Sequence, residues 1–265
     1  MYAPKHFGCA GVSMFRIVFL CLLMLTMECA EELVHPAKAP VVLLKLDDVV
    51  TRTERWDKTA KFIEEEGLKA NFGVINSGLE NPSPKLVEWM KGLAERKVIE
   101  FWCHGYDARF VHDADHKGEF EGSGYDLQLK ALTRSQELAK KWLGSEYSAF
   151  GPHWSGTDPD TDKALEEVPG IKVLWFYGPK PGSTSTKVVV ERRMELEVPL
   201  FKPNAQDVQR KFEAKGHTYD YIALQGHPNQ WDEPRFAEFQ TAVRYLKGQG
   251  CRFMLVSDWL AERVK

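Results

Sequence analysis

The chain has 265 residues, 43% hydrophobic and 28% charged, with a formal net charge of −3. That is enough for one sizeable core, and the length fits a single α/β domain. Charges of both signs are interspersed, without the basic block that nucleic-acid binding leaves, so nothing in the chain argues for DNA or RNA as a partner.

An apolar run at residues 17–27 (IVFLCLLMLTM) follows Lys5 and Arg16 and precedes Glu28, Glu31 and Glu32, with the small Ala30 between them. Residues 1–30 therefore read as a secretory signal peptide, with Met14 an alternative start. The run falls short of the about 20 apolar residues that span a bilayer, so no stable membrane span remains once the signal is removed. The mature domain, residues 31–265, is expected to be exported, either periplasmic or secreted. Cys9, Cys21 and Cys29 lie in the leader, and the mature chain keeps Cys103 and Cys251. The first falls near the end of a strand and the second near the start of another, a height difference of roughly 16 Å. A disulfide needs Cα atoms within about 7 Å, so two free thiols are expected.

Apolar strand-like runs then alternate with amphipathic helical stretches. Residues 41–46 form an apolar run broken by Lys45 and followed by Asp47 and Asp48, and a helix is predicted over 56–67, stopped by Gly67. Strands follow at 69–75 and 98–103, around a helix at 84–96, and His104 ends the second of these strands. A long helix at 125–143 stops at Gly144, a short strand at 148–150 leads into a loop, and a short helix covers 160–167. The series closes with strands at 172–177, 221–225 and 253–256 and helices at 207–216, 233–250 and 259–263. Such alternation implies parallel strands joined by right-handed crossovers, and near-continuous apolar runs imply strands covered on both faces. A parallel barrel and an open doubly wound sheet both fit. Neither GxGxxG nor GxxxxGK[ST] follows the first strand, which removes the two best-known phosphate-binding readings.

In α/β proteins chemistry gathers at strand ends. Those ends carry Asp47 and Asp48, the segment CHGYD (103–107), the loop FGPHWSGTD (150–158) and QGHPNQW (225–231). Taken singly, each has a plainer reading as a cap or a turn; together they form a metal and acid–base set on one end of the sheet. Adjacent aspartates at a strand end point differently, leaving one to bind metal and the other to act as a base.

These residues resemble the polysaccharide deacetylases, carbohydrate esterase family 4, in motif order from about Val41 to Val256. The resemblance implies a single-domain, distorted parallel (β/α) barrel and a metal-dependent hydrolase that removes acetyl groups from a carbohydrate or related N-acyl substrate. It implies Asp47 as catalytic base, Asp48 and His104 as ligands of a divalent metal, usually zinc, and His227 as general acid. The loop through Phe150, Gly151 and Pro152 resembles the acetyl pocket, placing Pro152 against substrate. Trp154 and Trp231 are candidates to stack on a sugar face. One departure matters: the family's second histidine, four residues after the first, is Ala108 here. His112 is the candidate replacement, with His116 and Asp107 as further donors, and His153 either lines the substrate pocket or supplies a ligand. Two alternatives follow from Ala108: a catalytically degenerate carbohydrate-binding protein on the same fold, and a metal-free amidohydrolase.

Overall fold

The computed structural model describes residues 39–107, 118–153, 156–179 and 185–264. Within residues 38–265 the strands are β1 (Val41–Val49), β2 (Ala70–Val74), β3 (Ile99–Cys103), β4 (Ala149–Phe150), β5 (Val173–Trp175), β6 (Val188–Val190), β7 (Tyr221–Gly226) and β8 (Arg252–Phe253). The helices are α1 (Glu54–Glu65), α2 (Pro84–Glu95), α3 (Tyr125–Leu143), α4 (Pro159–Glu166), α5 (Ala205–Ala214), α6 (Glu233–Gly248) and α7 (Val256–Arg263). Every predicted element is present. The strand the sequence did not announce is β6, whose short Val-Val-Val run sits among polar and charged residues.

All strand pairs are parallel, in the order β6-β5-β4-β3-β2-β1-β7, with β8 also pairing with β1. No pairing joins β6 to β7 among the described residues, so the barrel is distorted and unclosed. The doubly wound alternative is set aside, because both faces of β1 are filled by different means. Val42, Leu44 and Leu46 face the cluster formed with the helices. Val41 and Leu43 face a second cluster with Trp102, Ala149, Val173, Trp175 and Ala223, the inner residues of neighbouring strands. Alternation along each strand assigns the two faces.

The inner cluster is built around large rings, and small residues make room for them. A Cβ on Gly73 would fall 2.4 Å from the Trp102 ring, so β2 has to be bare opposite β3. The helix ends follow local chemistry. Thr53 and Ser83 accept from the first-turn amides of α1 and α2, Asp158 and Thr161 form a capping box on α4, and Gly144 ends α3 in the left-handed region at φ 83°. Cys103 and Cys251 are free and buried, as expected.

Candidate active site and metal centre

The site begins on β1. Lys45 and Asp47 are two residues apart and therefore share the inner face, where both leave water, at 3% and 0% exposure. Lys45 Nζ donates to Asp47 Oδ2 at 2.5 Å and lies 4.5 Å from the centroid of the Trp102 ring. Burial pushes the Lys45 pKa down, and Asp47 offsets only part of that. Gln225, the register partner of Lys45 on β7, donates through Nε2 to the same Asp47 oxygen at 2.6 Å. Asp47 Oδ1 is buried with no hydrogen-bond partner among the described residues.

The register of β1 against β2 shifts between Leu46 and Val49, and Asp48 sits at φ 77° within that irregularity. A left-handed aspartate in a strand is uncommon and marks a site where the chain is bent to aim a side chain. The bend separates the two carboxylates. Asp48 Oδ1, buried and without a hydrogen bond, lies 3.4 Å from His104 Nε2 and 3.4 Å from His153 Nδ1. Burial alone would raise the Asp48 pKa, but the two imidazoles outweigh it and hold the carboxyl well below the usual carboxylate range.

His104 follows β3, and its Nδ1–H donates to the carbonyl of Gly151 at 2.8 Å. That bond fixes the ring and turns Nε2 toward Asp48. The His153 ring meets that of His104 nearly at right angles, with centroids 5.1 Å apart. One donor atom each from Asp48, His104 and His153 lies within 4.8 Å of the others. Donors bound at zinc distances around a tetrahedral ion lie roughly 3.4 Å from one another, which is the spacing of both Asp48 contacts. The orphaned oxygen, the oriented imidazole and the spacing fit a divalent cation.

His227 follows β7 and is held by a residue that sequence reasoning missed. Glu197 takes the His227 Nδ1–H on Oε2 at 2.7 Å and the His227 amide on Oε1 at 2.9 Å. The Trp231 indole and the Phe201 amide also donate to Glu197, at 2.7 and 3.0 Å. His227 Nε2 is thereby turned toward Asp47 Oδ2, 3.8 Å away. Burial lowers the His227 pKa, but Glu197 and then Asp47 more than offset it and hold it above the ordinary histidine value.

Asp47, Asp48, His104, His153 and His227 thus come together. Pro152 is buried just ahead of His153 on the loop leaving β4. Trp231 is a correction: at 2% exposure it packs its ring on Phe239, 4.7 Å away, and spends its N–H on Glu197, so it has no face to offer a sugar. Ala108, His112, His116 and Trp154 lie outside the described residues. Lys45 did carry a sequence signal, a lysine within an apolar run two positions before an aspartate. Glu197 carried none, sitting in the charge-rich stretch ERRMELE.

This is the fold of the polysaccharide deacetylases of carbohydrate esterase family 4. Similar solved structures include the family 4 domain of a multidomain xylanase from the hindgut metagenome of Trinervitermes trinervoides (TM-score 0.60, 15% identity, 85% of this chain and 91% of that one). A family 4 acetyl xylan esterase from Clostridium thermocellum, in complex with cobalt, is similar at TM-score 0.58 and 14% identity, over 82% of this chain and 89% of that one. A family 4 pseudoenzyme from Bacillus anthracis is similar at TM-score 0.59 and 13% identity, over 84% of this chain and 66% of that one. No protein-family profile matches the sequence, and no curated protein does.

Proposed function

We propose that this chain is a metal-dependent hydrolase that removes acetyl groups from a carbohydrate or related N-acyl substrate. The observation that carries the reading is the convergence of Asp48, His104 and His153 beside Asp47 and His227. The esterase structure with cobalt supports the same reading. Asp48, His104 and His153 would hold the metal, zinc by preference, with His153 taking the part of the histidine missing at Ala108. A bound zinc polarises the acetyl carbonyl and offsets the charge that develops on its oxygen.

The chain's own residues do the proton work. Asp47 takes a proton from the attacking water on Oδ1, the oxygen that Lys45 and Gln225 leave open. Lys45 and Gln225 fix the carboxylate so that it need not reorient. His227 delivers a proton from Nε2 to the leaving nitrogen or oxygen, while Glu197 holds Nδ1–H and raises the ring's affinity for that proton. Water oxygen ends in acetate, and the sugar leaves as an amine or alcohol.

Metal content and acetate release test this directly. The purified chain is expected to hold close to one zinc and to release acetate from acetylated xylo- or chito-oligosaccharides. Asp48→Asn and His153→Ala are expected to lose metal and activity together. A chain with neither metal nor acetate release would sink this mechanism, leaving a sugar-binding protein on the same fold or a metal-free hydrolase with a different substrate. Residues 1–30 would carry the chain out of the cytoplasm, which N-terminal sequencing of exported protein tests; no helix of the described residues is long and apolar enough to cross a membrane.

A further inference from the structure

The segment between β6 and α5 carries an arginine that the proton transfers do not use. Arg192 is exposed, and its guanidinium carbon lies 4.5 Å from the centroid of the Phe176 ring. Its Nη2 donates to Gln225 Oε1 at 2.5 Å, and Gln225 Nε2 donates in turn to Asp47 Oδ2 at 2.6 Å. The guanidinium therefore stands two hydrogen bonds from the oxygen pair of the base. Phe176 is held in an uncommon state to receive it. Its φ is 70°, in the left-handed region that bulky residues avoid. Such strain persists where surrounding structure enforces it, and it gathers at ligand-holding sites. The buried Lys45 approaches the same ring at 5.3 Å, so two cations gather at one aromatic side chain.

Arg192 makes no ion pair among the described residues, although carboxylates flank it in sequence. Glu191 pairs with Arg193, Glu195 with Lys211 and Glu197 with His227. Arg192 and Gln225 line a small cleft with Glu195, Glu197 and Leu200, and both of those acids are already engaged. A guanidinium stacked on a ring and tethered at one nitrogen offers its remaining donors as a fixed planar fork. That is the geometry which suits a carboxylate or a sulfate, and which an ammonium group does not reproduce.

We propose that Arg192 on Phe176 is an anion-recognising subsite, and that the substrate is an acidic acetylated glycan with a carboxylate or sulfate on or beside the acetylated sugar. That substrate class rests on the hydrolase reading above, whereas the anion subsite itself does not.

The test is calorimetric binding with matched oligosaccharides, run beside acetate release. One pair is acetylated xylo-oligosaccharide with and without glucuronic acid substituents; the other is N-acetyl chito-oligosaccharide with and without sulfate, which separates the two anions. The charged member is expected to bind about tenfold more tightly at low salt, with the preference shrinking as salt rises. Arg192→Gln is expected to bring the charged-to-neutral ratio close to one, and Arg192→Lys to keep only part of it. A preference that collapses in Arg192→Gln without acetate release from any substrate sinks the hydrolase reading and leaves the subsite standing. Acetate release with equal affinity for both members sinks the subsite and leaves the hydrolase. Equal weakening of both members in Arg192→Gln also overturns the subsite, because the arginine would then only brace Gln225. Failure of all four oligosaccharides to bind overturns both.

Discussion

Replacing Lys45 by methionine keeps most of the side chain's length and removes its charge. Asp47 then remains at 0% exposure without its cation. Breaking a buried pair from one side costs about 3–5 kcal/mol, because an uncompensated charge is left behind. The cation–π contact with Trp102, at 4.5 Å, is lost as well. Two things offset this: methionine fills the space with apolar surface, and Gln225 still donates to Asp47 Oδ2. The expected net loss is about 3 kcal/mol. Lys45→Met combined with Asp47→Asn removes the stranded charge, while an asparagine there can still accept from Gln225. The double variant is therefore expected to recover about 2 kcal/mol or more relative to Lys45→Met alone. Urea unfolding with an unchanged slope measures both quantities. A single variant losing less than about 1 kcal/mol, or a double variant no more stable than the single, would refute the buried pair as the support of Asp47.

Glu197→Gln leaves burial as the dominant influence on His227 and lowers its pKa. The basic limb of the kcat–pH profile is then expected to move to lower pH, with kcat reduced about 10- to 100-fold. An unmoved limb would show that Glu197 does not govern the acid. For stability the sign is that of a raised folded pKa: the contribution of His227 is complete below its unfolded value and fades as pH rises through the folded one. Buried Glu119 accepts the amides of Tyr106 and Asp107, and burial raises it from 4.5 to about 7. The native state thus binds more protons than the unfolded state across that window, so stability falls as pH rises, by about 3 kcal/mol in all. Urea unfolding from pH 5 to 8 is expected to show that slope, and Glu119→Gln to flatten it. Gly73→Ala forces a methyl to 2.4 Å from the Trp102 ring and is expected to cost about 1–3 kcal/mol or more, read as a lowered Tm.

Near-continuous apolar runs and helix stops made most of the fold legible. The run at 41–46, the Gly144 stop and the alternation through 125–260 each correspond to an observed element. What stayed hidden depended on contacts distant in sequence. β6 is a strand because β5 pairs with it, not because three valines among charges announce one. Asp48 reads as the residue after a strand, yet the pairing continues past it to Val49 through the irregularity that aims it. His153 reads as an oddity in a pocket loop until β4 and β3 stand side by side and bring it to His104. Glu197 becomes visible only when the segment after β6 folds across the end of β7. Trp231 was misread for a related reason: a tryptophan in a loop sequence does not reveal that Phe239, eight residues further on in α6, will cover it.

Lys45 on β1 and Gln225 on β7 are rungs of one parallel ladder, with Asp47 and His227 each two residues further on. The reach from the proposed base to the proposed acid therefore starts from strand rise and register. That makes the site modular for an engineer. On the hydrolase and subsite readings proposed above, exchanging the segments around Phe176 and Arg192 would change which glycan is recognised, while Asp47 and His227 keep their places on the ladder. Glu197 is the fixed point in any such graft. It lies on the exchangeable stretch, yet the orientation of His227 hangs on it, so a donor segment has to bring a carboxylate to the same place.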